Sequence, residues 1–116
     1  MIRFDKFSQK DHINVILQQW VAVKDRIQSA YEQKDKKVHA HMLLAIELYQ
    51  KLLVEVSETV VFDAVELKNY EVLPLNGEER FEFIVSQPSH YAAYRQLNEL
   101  FEETRKKIAR LRIQYK

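Results

Sequence analysis

A chain of 116 residues with 47% hydrophobic and 30% charged residues holds enough apolar material for one hydrophobic core and too much for disorder. It has no cysteine, which excludes disulfides, thiolate metal sites and cysteine nucleophiles; its 18 Lys and Arg offset 17 Asp and Glu, so no net field marks a nucleic-acid binder. The single glycine argues against a sheet, whose hairpins use glycine at positive-φ turns, and for helices joined by few turns.

The N-terminal MIRFDKFSQK lacks the apolar run of a secretory signal, and Ile2 stands where myristoylation needs glycine. Apolar runs such as MLLAI fall far short of the ~20 residues that cross a bilayer. These features predict a soluble, cytoplasmic protein with no membrane contact.

Ser8, with Asp11 three residues on, reads as the cap of a first helix. Ile13, Ile16, Leu17, Trp20, Val23, Ile27, Ala30 and Tyr31 follow as its apolar stripe. The polar cluster from Glu32 to Lys37 interrupts the stripe, and Asp35 is placed to cap a second helix from about Lys36 to Ser57. Val38, Met42, Ala45, Tyr49, Leu52 and Val56 make its main face, which Leu43, Leu44, Ile46, Leu48 and Leu53 widen almost to the full circumference. Such a helix is central, covered by several neighbours or by a second copy of the chain. Glu47 falls on the remaining strip with Gln50, Lys51 and Glu55. Residues 9–57 contain neither Gly nor Pro, so one continuous helix is the alternative. It would run about 73 Å, too long for a compact domain of this size, and the break is preferred.

Residues 59–75 read as an apolar connector with a short helix, because a strand of Val60, Val61, Phe62 and Val65 has no partner strand elsewhere. Asn76 and Glu79 resemble a capping box, opening a short helix that turns Phe81, Ile84 and Val85 inward and ends near Gln87. Pro88 suits the start of a last helix, about Ser89 to Arg112, with a 3-4 seam of Tyr94, Leu97, Phe101, Thr104, Ile108, Leu111 and Tyr115. The expected architecture is all-α: one domain, a small bundle of about four helices, the second central and the C-terminal one long.

The segments PLNGEERFEFI, QPSHY and QLNELFEETRKK resemble the YpoC-like proteins of Gram-positive bacteria, most clearly over roughly residues 73–107. The N-terminal third is similar in its helical character and the lone Trp20. Genes of that family tend to lie beside genes for DNA repair and cell-wall synthesis. The resemblance implies no reaction, cofactor or catalytic residue, so no functional residue is carried over from it.

Among chemistry-bearing residues, His39 and His41 lie two apart and point to different faces of a helix, while His12 falls at the far end of the hairpin. No metal or cofactor is expected. Glu78, Glu79, Arg80, His90, Tyr91 and Arg95 have the types needed for acid–base work, but neither a nucleophile nor a phosphate-cradling loop accompanies them. Capping and ion pairing account for the same residues. His90, Tyr91 and Arg95 remain candidates for recognising a partner from a helix start. The tail RKKIARLRIQYK carries six positive charges, of which Arg105, Lys106, Lys107, Arg110 and Arg112 are candidates for binding phosphate. Cations also complement a helix C-terminus, and Ile108, Leu111 and Tyr115 favour docking over a free arm. The expectation is a non-catalytic interaction or adaptor protein that pairs with an unidentified protein or with itself. A nucleic-acid-associated protein using the basic tail is the alternative.

Overall fold

Ile13, Ile16, Trp20, Val23, Ile27 and Ala30 are the buried residues of the first helix, α1 (Lys10–Glu32), as their spacing requires. The computed structural model describes all residues 1–116. It adds α2 (Val38–Glu55), a 3-10 helix (Ala64–Asn69), α3 (Gly77–Ser86) and α4 (Tyr91–Gln114). The fold is all-α. No helix is long and apolar enough to cross a membrane.

The chain does break after α1. Lys34 takes the left-handed conformation at φ 54°, with Lys34 N–H donating to the Tyr31 carbonyl at 3.2 Å and Asp35 N–H to the Ala30 carbonyl at 2.8 Å. Those two bonds are a Schellman stop, built here on lysine where glycine is usual. Asp35 Oδ1 then accepts from Lys37 N–H at 2.9 Å, and α2 starts at Val38. The continuous helix is thereby ruled out.

Helix α2 is central. Val38, Met42, Ala45, Ile46, Leu48, Tyr49, Leu52 and Leu53 are buried, whereas Leu43 and Leu44 stay 46% and 41% exposed. Most of the apolar surplus that suggested a second copy is therefore covered within one chain. Glu47 is exposed, as its strip predicted. At the waist, Trp20 stacks on Phe101 with centroids 4.3 Å apart, and Tyr49 meets Phe101 edge-on at 5.2 Å. The Tyr49 hydroxyl and Thr104 Oγ1 lie 2.8 Å apart, fully enclosed, and burial pushes the phenol well above its ordinary pKa. Trp20 beside Phe101, and Tyr31 beside Tyr94, set α1 and α4 antiparallel.

Helix α3 starts without the capping box that Asn76 suggested. Asn76 is left-handed at φ 57°, and its side chain makes no cap hydrogen bond. Gly77 follows because the chain folds tightly on Leu73: a Cβ there would sit 2.5 Å from Leu73 Cγ. Phe81 and Ile84 face inward as expected, but Val85 is 49% exposed. Pro88 lies in the turn rather than in the helix, and α4 begins at Tyr91. With only 10 residues, α3 leaves one end of the bundle uncovered.

Non-helical chain fills that end. Residues 2–5 run extended between two pieces of the connector. Ile2 N–H donates to Asn69 O at 2.7 Å, Glu71 N–H to Ile2 O at 2.8 Å, Glu58 N–H to Arg3 O at 2.8 Å and Asp5 N–H to Val56 O at 2.8 Å. Phe4, 3% exposed, is the plug: it stacks on Tyr115 at 6.2 Å and lies beneath the Arg112 guanidinium at 5.6 Å. Ser8 is not the cap of α1 but accepts from Arg112 Nη2 at 3.0 Å. The connector holds the short helix expected of it and no strand; isolated bridges join Tyr70 to Ile2 and the preceding Ser57 to Phe4, while Val60, Val61 and Val65 project outward.

Candidate functional site

The tail of α4 docks as its apolar residues predicted: Ile108 and Leu111 are buried in the bundle. Docking leaves a groove between the start of α1 and the end of α4. It holds about 510 Å³ and is lined by Lys10, Ile13, Asn14 and Leu17 from α1, and by Arg105, Ile108, Ala109, Arg112, Ile113 and Lys116 from α4 or its end. Ile13, Leu17, Ile108 and Ile113 form an apolar strip, and Ile113 is 75% exposed at its lip. Lys10, Arg105, Arg112 and Lys116 border it, and no carboxylate is among the lining residues.

These cations are not equivalent. Arg105 is tied back to Glu102, one turn earlier on α4, and the pairing holds the Glu102 carboxyl below the usual range. Arg112 bonds only to the neutral Ser8 hydroxyl, and no carboxylate pairs with Lys10, Arg112 or Lys116. Charge without a carboxylate partner is thus concentrated at the Lys10 end, where the start of α1 meets the end of α4, whose dipole Arg112 complements.

The remaining tail cations turn another way. Lys106, Lys107 and Arg110 face a second concavity with Pro74, Leu75 and Glu103, to which Arg105 also contributes. Lys107 Nζ donates to Leu73 O at 2.9 Å; burial and the neighbouring Arg110 hold its ammonium below its ordinary pKa, against the pull of Glu71. Glu103 is engaged by Arg80, whose guanidinium reaches it at 2.5 and 3.1 Å and Gln96 Oε1 at 3.0 Å. Arg80 therefore clamps α3 to α4 and takes no part in a site with His90. The five candidate phosphate ligands are divided between two faces, with Arg105 at the ridge.

His90, Tyr91 and Arg95 are exposed at the opposite end of the bundle. His90 begins α4 through its backbone, its carbonyl accepting from Ala93 N–H at 2.9 Å and Tyr94 N–H at 3.3 Å. Tyr91 leans edge-on against Tyr31 at 5.1 Å, within a three-ring cluster with Tyr94. The concavity nearby is lined by residues including Tyr31, Lys36, His39 and Ser89, but by none of these three candidates. His12 Nδ1 lies 2.9 Å from Glu55 and His39 Nδ1 lies 3.1 Å from Ser89 Oγ; no three His, Asp or Glu side chains converge.

Of the ten residues that line the groove, the sequence named only Arg105 and Arg112 as binding candidates; Ile13, Leu17 and Ile108 were read as core, and Lys10, Asn14, Ala109, Ile113 and Lys116 were not singled out. The available signal was Ile113, an apolar residue outside the seam of the last helix.

Residues 10–116, which contain the whole groove, match a family model described as YpoC-like protein. The chain belongs to the YpoC-like family. The match takes in all four helices and begins just after the extended segment that carries Phe4 and Ser8. No curated protein and no solved structure matches the chain.

Proposed function

We propose that this YpoC-like protein is a non-catalytic protein-interaction module that receives its partner in the groove between α1 and α4. The observation carrying this reading is the lining itself: an apolar strip that reaches the surface at Leu17 and Ile113, flanked by Lys10, Arg112 and Lys116, with which no carboxylate pairs. Apolar area supplies the driving force for association, and the cations select an acidic partner and speed encounter. A nucleic acid needs phosphate contacts but has little use for Ile113 and Leu17. Lys106 and Arg110, unpaired on the second face, support that second reading. Self-association keeps a smaller basis in Leu43 and Leu44, and light scattering decides it. The reading takes the cytoplasm as the compartment, which cell fractionation tests.

The experiment is affinity capture from the native host with wild-type protein and with Ile113→Asp, with and without nuclease and at two salt concentrations. A protein retained through nuclease and lost with Ile113→Asp is the expected result. Recovery abolished by nuclease transfers the function to the second face. A partner indifferent to Ile113→Asp removes the groove from the proposal.

A further inference from the structure

The walls of the groove restrict what can fill it. Both are helices whose backbone groups are satisfied internally, so an incoming strand finds no edge on which to pair, and its own amides would go unpaired. A helix satisfies its backbone itself and presents only side chains. The lining also has helical periodicity: residues 10, 13, 14 and 17 on α1, and residues 105, 108, 109, 112 and 113 on α4, with 116 just past its end. Two such ridges on antiparallel neighbours leave a trough into which the ridge of a third helix packs. The α4 ridge extends about 16 Å at 1.5 Å per residue, which is about three turns of a partner helix.

We infer that the occupant is an acidic amphipathic helix of about three turns from another protein, a conclusion that rests on the interaction-module reading above. Its apolar residues, at three- and four-residue spacing, lie on Leu17 and Ile113, above Ile13 and Ile108, which the bundle already buries. Its carboxylates gather at one end, beside Lys10, Arg112 and Lys116, because Arg105 at the other end is already held by Glu102. Charge complementarity therefore fixes which end of the partner helix lies where.

The test is a titration of the isotopically labelled full-length chain, followed by amide chemical shifts. The probe is a synthetic 14-residue helical peptide with a leucine seam and glutamates clustered in one terminal turn. A scrambled peptide of equal composition, a peptide with lysines in place of the glutamates, and a short DNA duplex serve as comparisons. Shifts confined to residues 10–17 and 105–116 are expected, with affinity falling about tenfold or more in Ile113→Asp and in Lys10→Glu, as a lost apolar anchor or a reversed charge requires. Both positions are exposed, and circular dichroism checks that each variant folds. His90→Ala should bind like the wild type. Equal binding of the scrambled or the lysine peptide, or shifts elsewhere, overturns the acidic-helix assignment. A silent designed peptide, while Ile113→Asp still loses a captured protein, overturns the helix and leaves the module standing. Tighter binding of the duplex on the same residues overturns both.

Discussion

Where α1 passes into α2 and α3 into α4, the chain reverses over residues 33–37 and 87–90, and few side chains cross between the two hairpins: Tyr31 OH donates to Ser89 O at 2.7 Å, and His39 meets Ser89 Oγ. At the opposite end no helix turns directly into the next. There the first residues, both pieces of the connector and the last turn of α4 are tied together by Phe4, Ser8, Glu71, Arg112 and Tyr115. The first end is shaped by turns that each segment encodes for itself. The second forms only when residues as far apart as Ser8 and Arg112 have met, and beside it lies the groove that Arg112 borders.

The comparison is broken most directly at Phe4. Phe4→Ala removes the plug of the tied end and should lower stability by about 3–5 kcal/mol, the usual loss for an enclosed phenylalanine. Denaturant midpoints measure it, and a change below about 1 kcal/mol would show that the extended segment adds little to the fold.

Glu71 is the next test. Its carboxylate accepts from Phe4 N–H at 2.9 Å and from Tyr115 OH at 2.6 Å, so one side chain holds both termini. Partial burial pushes its pKa up, but these two hydrogen bonds, with Arg3 and Lys107, more than offset that and leave it below the usual carboxylate range. A depressed acid stabilises the fold above its unfolded value of ~4.3, and the contribution is lost as pH falls through the lower folded value. Glu71→Gln should therefore reduce stability by about 1 kcal/mol at pH 7, allowing for solvent screening. The gap from wild type should close below about pH 4. A gap that persists in acid would assign the effect to shape rather than charge.

How much of this was legible follows the same division. The stripes of α1 and α4 and the wide face of α2 give three of the four α-helices from spacing alone, because each buries a face that repeats within its own sequence. Val60, Val61 and Val65, read as part of an apolar connector, project into solvent, and the bridges that order the connector come from the distant N-terminal segment. Asn76 and Ser8 have capping side chains and cap nothing: Asn76 is left-handed at the start of α3, and Ser8, one residue before the N-cap of α1, is taken by Arg112. The groove was half visible. Its cations stood out as a run, but its α1 wall depends on which helix lies beside α4, and that is a fact of packing rather than of pattern.

At the hairpin end, smaller effects are expected. Tyr31→Phe removes one hydrogen bond from a half-exposed position and should cost about 0.5–1 kcal/mol, several-fold less than Phe4→Ala. Equal losses from the two variants would mean that the ends are not closed by different means.

Lys34 carries the smallest effect and the opposite sign. A left-handed lysine carries a penalty of roughly 1–2 kcal/mol that glycine escapes, while glycine gives back part of this through a more flexible unfolded chain. Lys34→Gly should therefore raise stability by up to about 1 kcal/mol. The same substitution within a regular helix would lower stability by about that amount, so the sign alone separates a true stop from a continuous helix. A gain would show that the turn is encoded locally and at some strain, and that the reversal after α1 survives even with a residue poorly suited to it. The tied end has its own left-handed residue in Asn76, but asparagine tolerates that conformation better than lysine, and the closure there is distributed over side chains drawn from both ends of the chain.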